Sequence, residues 1–194
     1  MALRADAAEK RQHIVQTAYS LFKRLGFHAT GIDRIIAEAE VAKMTMYRHF
    51  PNKNDLIVEV LDWRADRFAR QLDRLGEAAT APEQKIATIF DWYEHWFDSP
   101  DFHGCLFQHA LAEFGDPEHP VFKAVARQKG DLKRRMAEIL GATIPTAKAE
   151  SMASALFMMI EGATVLAQMG QGNAAIQAAR QAAARILAAP AMLQ

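Results

Sequence analysis

The sequence predicts an all-α protein, and three observations carry that prediction. Apolar residues recur at spacings of three and four, as at Ile14, Ala18, Leu21, Phe22 and Leu25. Only seven Pro and ten Gly interrupt 194 residues that are 51% hydrophobic. No stretch shows the strict alternation of a half-buried strand.

Taken in order, the first helix spans about 7–25 and stops at Gly26, a residue favoured just past a helix end. After a loop holding Phe27 and His28, Thr30 is the expected N-cap of a short helix whose inner face is Ile32, Ile35, Ile36 and Ala39. Val41 falls in a turn, and Met44, Tyr47, His49 and Phe50 belong to a further short helix that ends at Pro51. Two short helices joined by about three residues form a helix-turn-helix, the arrangement that lays its second helix in a DNA major groove. Asn52 is placed to cap a long helix to about Leu75, with Asp55 and Glu59 near its positive end.

Pro82 opens a strongly aromatic helix holding Phe90, Trp92, Tyr93, Trp96 and Phe97. A short apolar helix over about 105–114 follows, then one over about 121–140. Two helices close the chain, over about 146–169 and 173–188, both rich in Ala and Gly. The total is about nine helices, with no disordered tail beyond a few residues at each end. The expected division is 1–52 as the helix-turn-helix head and 53–194 as a helical body.

The formal net charge is zero, but it is unevenly distributed. Up to Phe50 there are eight Lys/Arg against five Asp/Glu, and the remainder carries the balancing acidic excess. A basic head on an acidic body suits a protein whose head alone meets phosphate. The single Cys105 excludes an internal disulfide. The start, MALRADAAEKRQHI, lacks the apolar run of a signal peptide, and the apolar stretch 153–169 is broken by Glu161. A cytoplasmic protein that does not span a membrane is expected.

Ala18, Leu21, Phe22, Gly26, Phe27, Thr30, Ile35, Ile36, Ala37, Ala39, Val41, Thr45, Tyr47, His49, Phe50, Lys53 and Leu56 together resemble the DNA-binding domain of TetR-family transcriptional regulators. The resemblance covers about 14–60, and TMYRHFPNKNDL is its most specific string. Two positions depart from the pattern: Glu40 stands where the turn usually has Gly, and Ala42 where the recognition helix usually opens with Ser or Thr. A left-handed position costs a non-Gly residue about 1 kcal/mol, and a missing N-cap hydroxyl about as much.

The resemblance implies a recognition helix over about 43–50 and a set of DNA contacts. Lys43 and Met44 would reach the groove floor, Lys donating to guanine acceptors and Met packing on a thymine methyl. Thr45 would reach a base or a phosphate. Tyr47 and His49 resemble the family's backbone-contacting pair, the tyrosine ring packed and its hydroxyl at phosphate. Lys53 and Thr30 would add phosphate contacts at helix starts. Arg48 is open between DNA and solvent, and Phe50 belongs to the core.

For the body, the resemblance implies a small effector among the middle helices. Trp92, Trp96, Phe107 and Met159 are the candidate wall, with His109 or Gln108 as a polar anchor, and an apolar or aromatic ligand suits such a lining. The competing reading of this stripe is plain core. His103, Cys105 and His109 fit no closed zinc spacing, so neither metal nor cofactor is expected; Cys105 reads as a buried thiol, with redox sensing as the alternative. No phosphate-binding loop, nucleophile elbow or facing carboxylate pair points to an enzyme.

The function expected is a homodimeric repressor that binds double-stranded operator DNA, pairs through its last two helices, and is released by effector. The alternatives are a ligand-binding or scaffolding protein whose head meets protein, and an activator without effector.

Overall fold

The computed structural model describes residues 2–188, with side chains from Ala7 onward. The few terminal residues expected to be disordered lie partly outside that range. Among the described residues there are nine α-helices and no strand: α1 (Ala2–Leu25), α2 (Ile32–Glu38), α3 (Lys43–His49), α4 (Lys53–Gly76), α5 (Pro82–Phe97), α6 (Leu106–Glu113), α7 (Pro120–Gly141), α8 (Thr146–Leu166) and α9 (Gly172–Ala188). The chain forms two compact units, Met1–Arg67 with Cys105–Gln128, and Phe68–Gly104 with Lys129–Gln194. Helices α4 and α7 each contribute to both.

The first unit buries the apolar face of α1. Ile14, Ala18, Leu21 and Phe22 are at most 1% exposed, whereas Leu25, at the end of that stripe, reaches 38%. Gly26 closes α1 with its amide on the Phe22 carbonyl (2.9 Å) and a φ of 82°, a conformation that favours glycine.

The cap expected at Thr30 is corrected by the structure. The N-cap of α2 is Gly31, which carries no side-chain bond, and Thr30 is fully buried with its hydroxyl donating to the Gly26 carbonyl (2.7 Å). Asn52, by contrast, caps α4 as its sequence implies. Its Oδ1 accepts from the Asp55 amide (2.9 Å) and its amide nitrogen donates to the Asp55 carboxylate (2.8 Å).

The second unit is built on one core cluster that includes Phe68, Leu72, Phe90, Tyr93, Met136, Leu156, Ile160 and Ile176. Helices α5, α8 and α9 pack on one another here. Small buried residues (Ala149, Ala153 and Ala163 on α8; Ala175, Ala179 and Ala183 on α9) let those backbones approach closely. Helices α8 and α9 meet at Ala167–Gln171, a wide turn in which Gly170 takes φ 79°. Read as one run, Thr146–Ala188 contains a window of mean hydropathy 1.4, long and apolar enough by composition to cross a membrane, of which 33% is buried. Within that run Glu161 pairs with Lys129 (2.6 Å), and the turn at Ala167–Gln171 interrupts the helix.

Candidate nucleic-acid interface

The α2–α3 turn is closed by backbone bonds. The Glu40 amide donates to the Ala37 carbonyl (3.2 Å) and the Val41 amide to that of Ile36 (3.2 Å). Among the described residues Glu40 is the one non-glycine with a positive φ, 51°. The strain inferred from glutamate at a glycine position is thus present in the backbone.

Helix α3 has two sharply different faces. Met46 (0% exposed) and Phe50 (1%) anchor it inward, and Phe50 also meets the Arg11 guanidinium at 4.8 Å. Arg11 is fixed by an ion pair with Glu59, whose hydrogen bond raises its pKa further above the usual value. Outward, Met44 is 81% exposed, with Lys43, Tyr47 and Arg48 on the same side by helical spacing. Tyr47 reaches 39% exposure, partly covered and partly open to solvent. Lys43 makes an open ion pair with Asp33 on α2 (3.2 Å) that a phosphate or base could readily displace.

Thr45 and His49 are half-buried, one turn apart on the flank of α3. His49 Nε2 is buried without a hydrogen-bond partner. Burial first, then the positive charges of Arg48 and Arg11, push its pKa down. Lys53 opens α4 and donates to the His28 carbonyl (3.4 Å); burial lowers its pKa, opposed by the nearby Glu113 carboxylate. Thr30, buried beneath this surface, has no side-chain atom at the interface.

The effector candidates fall in different units. In the second, Trp92 and Trp96 stack with centroids 5.3 Å apart and line a groove of about 420 Å³ with Gln71, Leu75 and His95. Trp92 Nε1 donates to Gln71 Oε1 (3.2 Å), and Met159 is half-buried against the same unit's core. In the first, Phe107 is 5% exposed and Gln108 and His109 are half-buried on α6; burial lowers the His109 pKa against the opposing charge of Glu113. Cys105 is a buried thiol, and among the described residues no three His, Cys, Asp or Glu are grouped to hold a metal ion. A second groove in the second unit, about 440 Å³ and lined by Ile86, Phe90, Ala183 and Leu187, was not foreseen from the sequence.

Two family models match the chain. Residues 14–60 match the model of bacterial regulatory proteins of the TetR family, and residues 82–183 match the tetracycline-repressor-like C-terminal domain. The chain belongs to the TetR family. Members of this family are DNA-binding transcription regulators and not enzymes.

Among solved structures of TetR-family proteins, SCO4454 from Streptomyces coelicolor superimposes with a TM-score of 0.86 at 29% identity, covering 93% of this chain and 95% of that one. NemR of E. coli in its reduced form shares the fold, with a TM-score of 0.84 at 20% identity over 95% and 100% of the two chains. Among curated relatives, the Bacillus subtilis regulator YuxN is 26% identical over 79% of this chain and 52% of its own length. The activator FasR of Mycolicibacterium smegmatis is 30% identical over 45% of this chain and 42% of its own. The chain therefore spans about half the length, or less, of these curated relatives.

One contact in the first unit carried no sequence signal. Glu113, ending α6, accepts from the backbone amides of Phe27 and His28, which lie 86 and 85 residues away.

Proposed function

We propose that this protein is a homodimeric repressor of the TetR family that leaves its operator when a small apolar or aromatic effector binds. The observation that carries the DNA reading is the outward face of α3. A methionine 81% exposed, beside Lys43, Tyr47 and Arg48, has no structural use on a helix already anchored by Met46 and Phe50. In this reading Lys43 and Met44 meet base edges, and Thr45, Tyr47, His49 and Lys53 meet the DNA backbone. Thr30 supports them from beneath. Residues 1–52 act as the DNA-binding domain and 53–194 as the effector and dimerisation domain.

Dimerisation is supported by the apolar surface left on α8 and the turn after it. Met158 (66% exposed) and Val165 (48%) on α8 and Met169 (66%) in the turn recur at helical spacing, with exposed Gly162 between them, and α9 adds exposed Ala174 and Ala178. A second copy would cover this face in a four-helix interface and place two recognition helices about 34–36 Å apart. Trp92, Trp96 and Met159 support an aromatic effector in the second unit, and Phe107, Gln108 and His109 are separate candidates in the first. Effector binding shifts α4 and thereby the spacing of the heads, a coupling of about 1–3 kcal/mol.

The likeness to FasR, an activator, keeps the opposite sign of regulation as a second reading. A reporter driven by the bound promoter decides between them: expression rising on loss of the protein supports repression, and expression falling supports activation.

A further inference from the structure

The loop between α1 and α2 is held by one carboxylate from α6. Glu113 Oε1 accepts from the Phe27 amide (2.9 Å) and Oε2 from the His28 amide (2.5 Å). Two successive backbone N–H groups following a left-handed residue form an anion-binding concavity, and here a side chain fills it. Gly26 makes room: a Cβ there would lie 3.0 Å from Glu113 Oε1.

The ring of His28 reaches back, with Nε2 3.1 Å from the Glu113 carbonyl oxygen, and packs on Phe114 at 4.7 Å. Phe114 stacks on His119 (4.8 Å), and His119 Nε2 lies 3.2 Å from the side-chain amide of Asn54 on α4. The His28 backbone is thus held on both sides, its N–H donating to Glu113 and its carbonyl accepting from the Lys53 ammonium (3.4 Å). All of these residues belong to the first unit. Yet Phe27, His28, Lys53 and Asn54 lie within the TetR-type DNA-binding match, and Glu113, Phe114 and His119 within the C-terminal-domain match.

We infer that Glu113 is a positioning residue for DNA binding: by fixing the His28 peptide it sets where Lys53 stands to meet phosphate. The inference rests on the DNA-binding reading above. Moving α6 moves the carboxylate, and with it both the loop and the start of α4.

The test uses the full-length chain and DNA that the wild-type protein selects from a random-sequence pool. Glu113→Ala and Lys53→Ala, singly and combined, are titrated across a range of salt. Glu113→Ala is expected to weaken binding by on the order of tenfold and to flatten the salt dependence by roughly one phosphate, about 0.9 in the logarithmic slope. Adding Lys53→Ala to it should then cost nothing more.

A loss of affinity with an unchanged slope and a fully additive Lys53 effect would mean that Glu113 only supports folding, and would overturn the inference. Unchanged affinity would overturn it too. Should Glu113→Ala fail to fold, Glu113→Gln, which keeps one carbonyl oxygen, is expected to show half the effect on the slope; no change in slope counts against the inference. A wild-type protein that selects no DNA would defeat the underlying reading, and this inference with it, a failure visible before any variant is made.

Discussion

On α3, residues one position apart carry different tasks because a helix turns about 100° per residue. Met46 is buried while Tyr47 stands at the surface, and the expected contacts divide in the same way. Tyr47→Ala removes a backbone contact and is expected to weaken binding about equally on all DNA sequences. Lys43→Ala removes a base contact worth about 1–3 kcal/mol and should relax preference at one position. Selection of bound sequences from a random pool for each variant checks this; identical profiles for both would refute the division.

The two half-buried histidines give a pH dependence of determinate sign. His49 and His109 both have pKa values below the ordinary 6.5 because burial disfavours their charged forms. Below that value the unfolded chain binds more protons than the folded one, so stability is full above it and falls as pH drops through the lowered values. Urea midpoints are expected to fall between about pH 7 and pH 5. The fall should be smaller in the His49→Gln, His109→Gln double variant, and an equal fall in both would contradict the assignment.

At the scale of elements, the helices were legible because their apolar spacing is local information. The spacing of Ile14, Ala18, Leu21 and Phe22 predicts the buried face of α1, and the glutamate at residue 40 predicts a strained turn that its φ of 51° displays. Thr30 was misread because capping propensity cannot register that its hydroxyl has a nearer acceptor, the Gly26 carbonyl. Glu113 was invisible for a different reason: its partners are backbone amides some 85 residues away, and any loop residue carries such amides. Aromatic spacing identifies a packed stripe but not which of its members face a groove; Trp92 and Trp96 do, with Gln71 and Leu75 that no pattern singles out.

The exposed face of α8 makes its own prediction. Val165→Asp places a charge in the middle of the proposed dimer surface, where an unpaired buried charge costs several kcal/mol. Light scattering at micromolar concentration is expected to show a dimer for the wild type and a monomer for the variant. A wild-type monomer would exclude pairing through α8 and α9.

For the whole molecule, a zero net charge conceals a division of labour. The basic excess lies in the first fifty residues and the acidic excess in the rest of the chain. Attraction to DNA is therefore confined to the head while the body is repelled, which favours one docking orientation. The α6 clasp through Glu113 gives this head a mechanical connection besides the covalent one through α4.

The central claim is that α3 reads DNA sequence, and the most direct measurement is the dissociation constant for selected and for scrambled duplexes over about 50–200 mM salt. The account predicts tighter binding to the selected duplex at every salt concentration, with affinity falling on the order of a thousandfold across the range. Equal affinity for the two duplexes, or binding indifferent to salt, would contradict it.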